Sequence, residues 1–147
     1  MKFIGGNSNP SGYEDELKNL IKKHRLEKQV ILAGTTNNVT EELLKASIFV
    51  FPSAYEGFPL AMTEAMSAGL PVVGFNNALA VNEMIAVGEN GFLSDYNTDA
   101  FAACLEKMIN NEPMRLEMGA TAIDSIKAYS ADTIYGKWDS ILMELNF

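Results

Sequence analysis

Residues 47–75 read SIFVFPSAYEGFPLAMTEAMSAGLPVVGF, and their punctuation decides the fold. SIFVFPS is apolar and aromatic throughout and is closed by Pro52, which predicts a strand buried on both faces, as in a parallel sheet flanked by helices. Residues 59–68 then read as a helix, with Pro59 at its first position and Gly69 at its end, the asymmetry expected of helix boundaries. LPVVGF is a second buried strand. Strand, helix and strand in this order form a right-handed crossover unit, which brings the C-terminal ends of its strands to one edge, where ligands of such folds bind.

The same alternation extends in both directions. Upstream, KFIGG reads as a strand ending in glycines, and Leu17, Leu20, Ile21 and Leu26 recur at helical spacing from Glu14 onward. QVILAG is a further buried-strand candidate ended by Gly34, and Thr40 opens a second helix with Leu43, Leu44 and Ala46 behind it. Downstream, residues 80–87 suggest a short helix, GENGFL a turn into a strand, and residues 98–109 an amphipathic helix; residues 114–129 and 132–145 complete a helical tail. The expected fold is α/β, a Rossmann-like doubly wound parallel sheet flanked by helices, with one domain over the whole chain. The loops to inspect are 5–12, 34–38, 53–58 and 74–79.

Composition narrows the function. Eleven basic against nineteen acidic residues give a net charge of −8, which repels phosphate backbones and anionic headgroups and argues against nucleic acid as a partner. A phosphate-bearing ligand then has to be held by local devices such as helix N-termini. Cys104 is the only cysteine, so an internal disulfide is excluded; it falls in the apolar stripe of its helix and reads as a small core residue. No apolar stretch approaches the roughly 20 residues of a membrane span. The expected location is the cytoplasm, with a longer enzyme placed at the cytoplasmic face of the membrane.

The loop at 53–58 carries the chemistry. The helix behind it leaves several N–H groups unpaired at a positive dipole end, so it can receive an anion without a basic side chain, and Gly57 allows close approach of the backbone. Glu56 precedes the helix by a turn that folds its carboxylate over the helix mouth, where it can accept hydroxyl hydrogen bonds. Glu64 lies within the helix, eight residues beyond Glu56, and could take both oxygens of a ribose diol. Sugar, phosphate and ribose in succession describe a nucleotide-sugar donor. Yet a glutamate before a helix commonly just complements the dipole, and one inside a helix commonly faces water, so spacing alone leaves both readings open.

Residues 51–73 resemble the signature of the group 1 (family 4) retaining glycosyltransferases of GT-B architecture, in which two glutamates separated by seven residues flank a glycine-containing turn. Glu56 and Glu64 match both positions, and the resemblance continues through VILAG, SIFVFPS, LPVV and GENGFL. It implies that Glu56 binds hydroxyls of the transferred sugar, as the catalytic-site acid, and Glu64 the nucleotide ribose. The amides of Gly57, Phe58 and Leu60 would lie at the sugar and diphosphate, and Gly34 and Thr35 beside the nucleobase. It implies transfer of a hexosyl group from a nucleoside-diphosphate sugar, a UDP-hexose being the expected donor, to a glycan or lipid-linked glycan in polysaccharide biosynthesis. The anomeric configuration would be retained, with no metal or other cofactor.

Two departures from the family pattern stand out. The first strand and helix of the donor domain, with an arginine and a lysine on the diphosphate, have no counterpart in this sequence, which reads as an N-terminally truncated donor domain without its acceptor domain and inactive alone. Asn76, Asn77, Ala78 and Leu79 stand where many members have a glycine pair, while Glu83 matches a recurrent family acid that could equally cap its helix. A GT-B nucleotide-sugar epimerase and a non-catalytic interaction module of the same fold remain as alternatives. A nicotinamide-dependent oxidoreductase is disfavoured, since no strand is followed by the three-glycine fingerprint. His24, the only histidine, sits at a helix end and reads as a surface residue.

Overall fold

A computed structural model describes residues 1–6 and 12–145. The chain divides into two compact units, Met1–Val39 and Thr40–Phe147. The first holds β1 (Lys2–Phe3), α1 (Tyr13–Lys23) and β2 (Ile31–Leu32), with β1 and β2 paired in parallel so that Lys2 faces Ile31 and Phe3 faces Leu32. Much of the loop expected at 5–12 lies outside the described residues.

In this unit α1 stops in a Schellman turn. The N–H of Leu26 donates to the carbonyl of Ile21 and that of Arg25 to Lys22, with Arg25 in the left-handed region at φ 54. Arginine thus occupies a position that usually falls to glycine. His24 is the exposed C-cap of the same helix. QVILAG was expected to be buried, but Ile31 is 56% exposed. An apolar run is covered only when layers lie on both sides of it, and a two-stranded ladder with one helix does not supply them within this unit.

The second unit opens with α2 (Val39–Leu44), which starts at the boundary, and continues through β3 (Phe49–Phe51), α3 (Leu60–Ser67), β4 (Val72–Phe75), α4 (Leu79–Met84), β5 (Gly91–Ser94), α5 (Thr98–Ile109), α6 (Glu112–Ile126), a 3₁₀ turn (Lys127–Tyr129) and α7 (Ala131–Glu144). Its sheet is parallel in the order β3-β4-β5, with Val73 opposite Val50 on one side and Phe92 on the other. Successive strand residues point to opposite faces. Accordingly Val72 joins a cluster with Met62 and Met66 of α3 and Val81 and Met84 of α4, while Val73 joins another with Phe92, Met108 of α5 and Met118 of α6. Helices therefore cover both faces of β4, as the doubly wound reading requires. Cys104 is partly buried against the second cluster.

β3 departs from expectation, because its three residues are only partly buried. It ends the strand order, so one side of it lacks a neighbouring strand in this ladder. Pro59 is the N-cap of α3 rather than its first residue, its carbonyl accepting the N–H groups of Met62 and Thr63. α4 ends at Met84, short of the expected 87. Here Asn90, 1% exposed, takes the Ala86 N–H on its Oδ1 at 2.9 Å and donates from Nδ2 to the Met84 carbonyl at 3.1 Å. A side chain from beyond the helix thereby replaces the next helical bonds.

Polar caps fix the later boundaries. Asn97 accepts the Ala100 N–H, Asn111 the Met114 N–H and Ser130 the Thr133 N–H, so α5, α6 and α7 each start behind a side-chain oxygen. Among the described residues no helix is long and apolar enough to cross a membrane.

Candidate functional site

The segment from Ser53 to Glu64 hangs from the C-terminal end of β3 and runs into α3. The helix buries Met62, Ala65 and Met66 and leaves Leu60, Ala61, Glu64 and Ser67 exposed. At roughly 100° per residue the three buried positions share one face and Glu64 falls near the middle of the opposite one. Burial of the methionines, at about 1.5–3 kcal/mol each, is what holds that orientation. Glu64 is thus presented to solvent by a helix whose underside is locked in the core.

Glu56 sits in the turn before the helix and is half-buried. Its Oε1 accepts the Ser53 hydroxyl at 2.7 Å. Gly57 follows, and a methyl group added there would meet no protein atom within 4 Å, so the backbone lies open. The ring of Phe58 is half-exposed and leans on Tyr129 with centroids 6.1 Å apart. Pro59 is fully buried beneath.

The amides of the mouth differ among themselves. Leu60 N–H turns inward to the Phe58 carbonyl at 3.0 Å, and Met62 and Thr63 donate to Pro59. Among the described residues the N–H groups of Gly57, Phe58 and Ala61 find no acceptor in the protein. Of the expected trio Gly57, Phe58 and Leu60, the first two therefore have open amides among the described residues, while that of Leu60 is held by the Phe58 carbonyl. Ala61 offers the free amide because Leu60 already closes a tight turn, a local geometry that residue identities do not announce.

The loop after β4 is tied to this turn. Asn77 Nδ2 donates to the Ala54 carbonyl at 3.3 Å, and Asn76 bridges to Asp95 Oδ1 at 2.8 Å. Where the family pattern has a glycine pair, this chain has an amide that braces the neighbouring loop and, beside it, Leu79 at 79% exposure. Glu83 is exposed and lies late in α4, so it does not cap the helix N-terminus.

Gly34 and Thr35 belong to the first unit, just past β2. Gly34 has φ 68, and its carbonyl accepts the Gly5 N–H at 2.8 Å. A cavity of about 320 Å³ opens there, with Phe3, Leu17, Leu32 and Tyr13 among its apolar walls and Gly34 on its rim. Among the described residues no group of three or more His, Cys, Asp or Glu side chains is placed to hold a metal.

The sequence model described as "Glycosyl transferases group 1" matches residues 2–125. The chain belongs to this family. An uncharacterised glycosyltransferase of Haemophilus influenzae is 37% identical over 144 residues, 97% of this chain and 39% of that protein. The poly(ribitol-phosphate) alpha-N-acetylglucosaminyltransferase of Staphylococcus aureus is 32% identical over 127 residues, 85% of this chain and 26% of that protein. This group 1 glycosyltransferase chain thus spans well under half of either relative.

Solved structures agree on the fold. A TarM variant of S. aureus, in complex with fondaparinux, alpha-GlcNAc-glycerol and UDP, superposes with a TM-score of 0.83 at 30% identity, over 95% of this chain and 28% of that one. Anabaena HepE in complex with UDP gives a TM-score of 0.88 at 21% identity, over 97% of this chain and 40% of that one, a likeness of fold. The parallel α/β architecture is that of the GT-B glycosyltransferases.

Proposed function

We propose that this chain is the donor-binding part of a retaining glycosyltransferase, and that the full-length enzyme transfers a hexosyl group from a nucleoside-diphosphate sugar to a glycan or lipid-linked acceptor. The observation that carries the reading is the mouth of α3. A half-buried carboxylate, Glu56, and a solvent-facing one, Glu64, bracket the unpaired amides of Gly57, Phe58 and Ala61. Glu64 takes the ribose hydroxyls, the amides take a diphosphate oxygen or the adjacent sugar, and Glu56 accepts hydroxyls of the sugar that is transferred.

Chemically, a preorganised positive dipole end stabilises the charge that develops on the leaving diphosphate without reorganisation cost at the moment of reaction. Retention follows if the acceptor attacks from the face the diphosphate leaves, with a phosphate oxygen receiving the acceptor proton. No metal is assigned a role. The enzyme works in the cytoplasm, where nucleotide sugars are available to it. TarM and HepE, each solved with UDP, support a uridine nucleotide.

Thermal unfolding in the presence of UDP, GDP and ADP tests the reading. UDP raises the melting temperature of the wild-type chain, and Glu64→Ala removes the rise. A wild-type chain unmoved by any nucleoside diphosphate at millimolar concentration refutes it.

A further inference from the structure

Ser53 was not singled out by the sequence, yet its hydroxyl makes the one hydrogen bond found at the Glu56 carboxylate among the described residues, 2.7 Å to Oε1. Its other approach, to the Tyr55 carbonyl, is 3.4 Å and so at the edge of a hydrogen bond. The single hydroxyl proton therefore belongs with the carboxylate. Oε2 and the remaining lone pairs of Oε1 stay available for a ligand.

The backbone of the same turn is anchored separately, by Asn77 Nδ2 on the Ala54 carbonyl at 3.3 Å. Backbone and side chain of the turn thus have independent restraints. A glutamate has three side-chain torsions, and a carboxylate that must be ordered on binding loses affinity in proportion to the freedom it gives up. Resting on the donor-binding reading above, we propose that Ser53 is a positioning residue for Glu56. It presets the carboxylate for the hydroxyls of the transferred sugar and takes no part in holding the nucleotide.

The consequence is selective. Glu64 stands on a helix locked by Met62 and Met66, and the amides of the mouth are backbone groups, so neither depends on the Ser53 hydroxyl. Removing that hydroxyl reduces sugar recognition and spares nucleotide recognition.

Calorimetric titration of the 147-residue chain with UDP and with UDP-glucose, UDP-galactose and UDP-N-acetylglucosamine reads this directly. For the preferred sugar, Ser53→Ala lowers the ratio of UDP-sugar to UDP affinity about three- to tenfold, the span of one hydrogen bond, with UDP affinity unchanged. Ser53→Thr, which keeps the hydroxyl, restores the ratio. Ser53→Ala adds nothing to the loss caused by Glu56→Ala, since it acts through that residue. A wild-type ratio in Ser53→Ala, or an equal loss for UDP and UDP-sugar, overturns the proposal while donor binding stands. A wild-type chain that binds UDP but no UDP-sugar more tightly also overturns it, and one that binds neither overturns the donor-binding reading as well.

Discussion

Gly119 of α6 packs directly against the carbonyl of Gly69 at the end of α3, leaving no room for a side chain between them. The two helices cover the same sheet, and this contact sets how closely α6 approaches the element that carries Glu64. Gly119→Ala gains helix propensity worth up to about 1 kcal/mol but forces a backbone carbonyl to move, for a net loss of about 1–3 kcal/mol. Gly136, inside α7, has nothing within 4 Å of where a methyl would sit. Gly136→Ala stabilises by up to about 1 kcal/mol, and urea titration of the two variants shows opposite signs.

Asn90 is buried with both ends of its amide satisfied, by Ala86, Met84 and Ser125. Asn90→Ala takes this partner from the Met84 carbonyl in a buried bond and from the Ala86 N–H and the Ser125 hydroxyl in partly buried ones. The expected loss is about 2–3 kcal/mol, measured as a shift in the urea midpoint. A loss under about 0.5 kcal/mol would show that the clamp is dispensable.

Arg25 pays a conformational cost in its left-handed turn. Arg25→Gly removes that cost, partly offset by the greater freedom of glycine in the unfolded chain. The melting temperature rises, corresponding to a gain of up to about 1 kcal/mol.

The exposed pairs on α1 and α2 set a pH window. Hydrogen bonds to Glu14 and Glu41 raise Lys18 and Lys45 above the ordinary lysine value of 10.5. A raised folded value means that their contribution is fully present below the unfolded value and fades as the pH climbs through the folded one. Unfolding at pH 7 and pH 9 therefore shows no difference traceable to these lysines, and Lys18→Met with Lys45→Met leaves the neutral-pH melting temperature nearly unchanged. NMR titration of their side chains reports values above the ordinary lysine value of 10.5.

Much of this was legible in the residues. α5 runs over Thr98–Ile109, as its amphipathic spacing predicts, and LPVVGF supplies the buried central strand. The two carboxylates of the candidate site stand out through the family resemblance of residues 51–73, since their spacing alone leaves both readings open. What escaped depends on partners distant in sequence or on fine backbone geometry. The end of α4 is set by Asn90 from the following loop, the exposure of Ile31 by how few layers its ladder has, and the inward turn of Leu60 by a three-residue bend. Asn77 stands where many members of the family have a glycine, and its use, bracing Ala54, depends on a partner 23 residues away.

The openness of Gly57 separates binding from folding. A methyl there meets no protein atom, so Gly57→Ala keeps the melting temperature of the free chain. If a donor lies against that backbone, the same change weakens UDP-sugar binding at least several-fold, which calorimetry resolves.

The central claim is that the mouth of α3 receives the donor. Backbone amide NMR of the ¹⁵N-labelled chain, titrated with UDP, tests it residue by residue. The account predicts that the signals of Gly57, Phe58, Ala61 and Glu64 move together along one saturation curve, while those of Gly119 and Gly136 stay in place. Saturable shifts that bypass residues 56–64, or none at millimolar UDP, would contradict it.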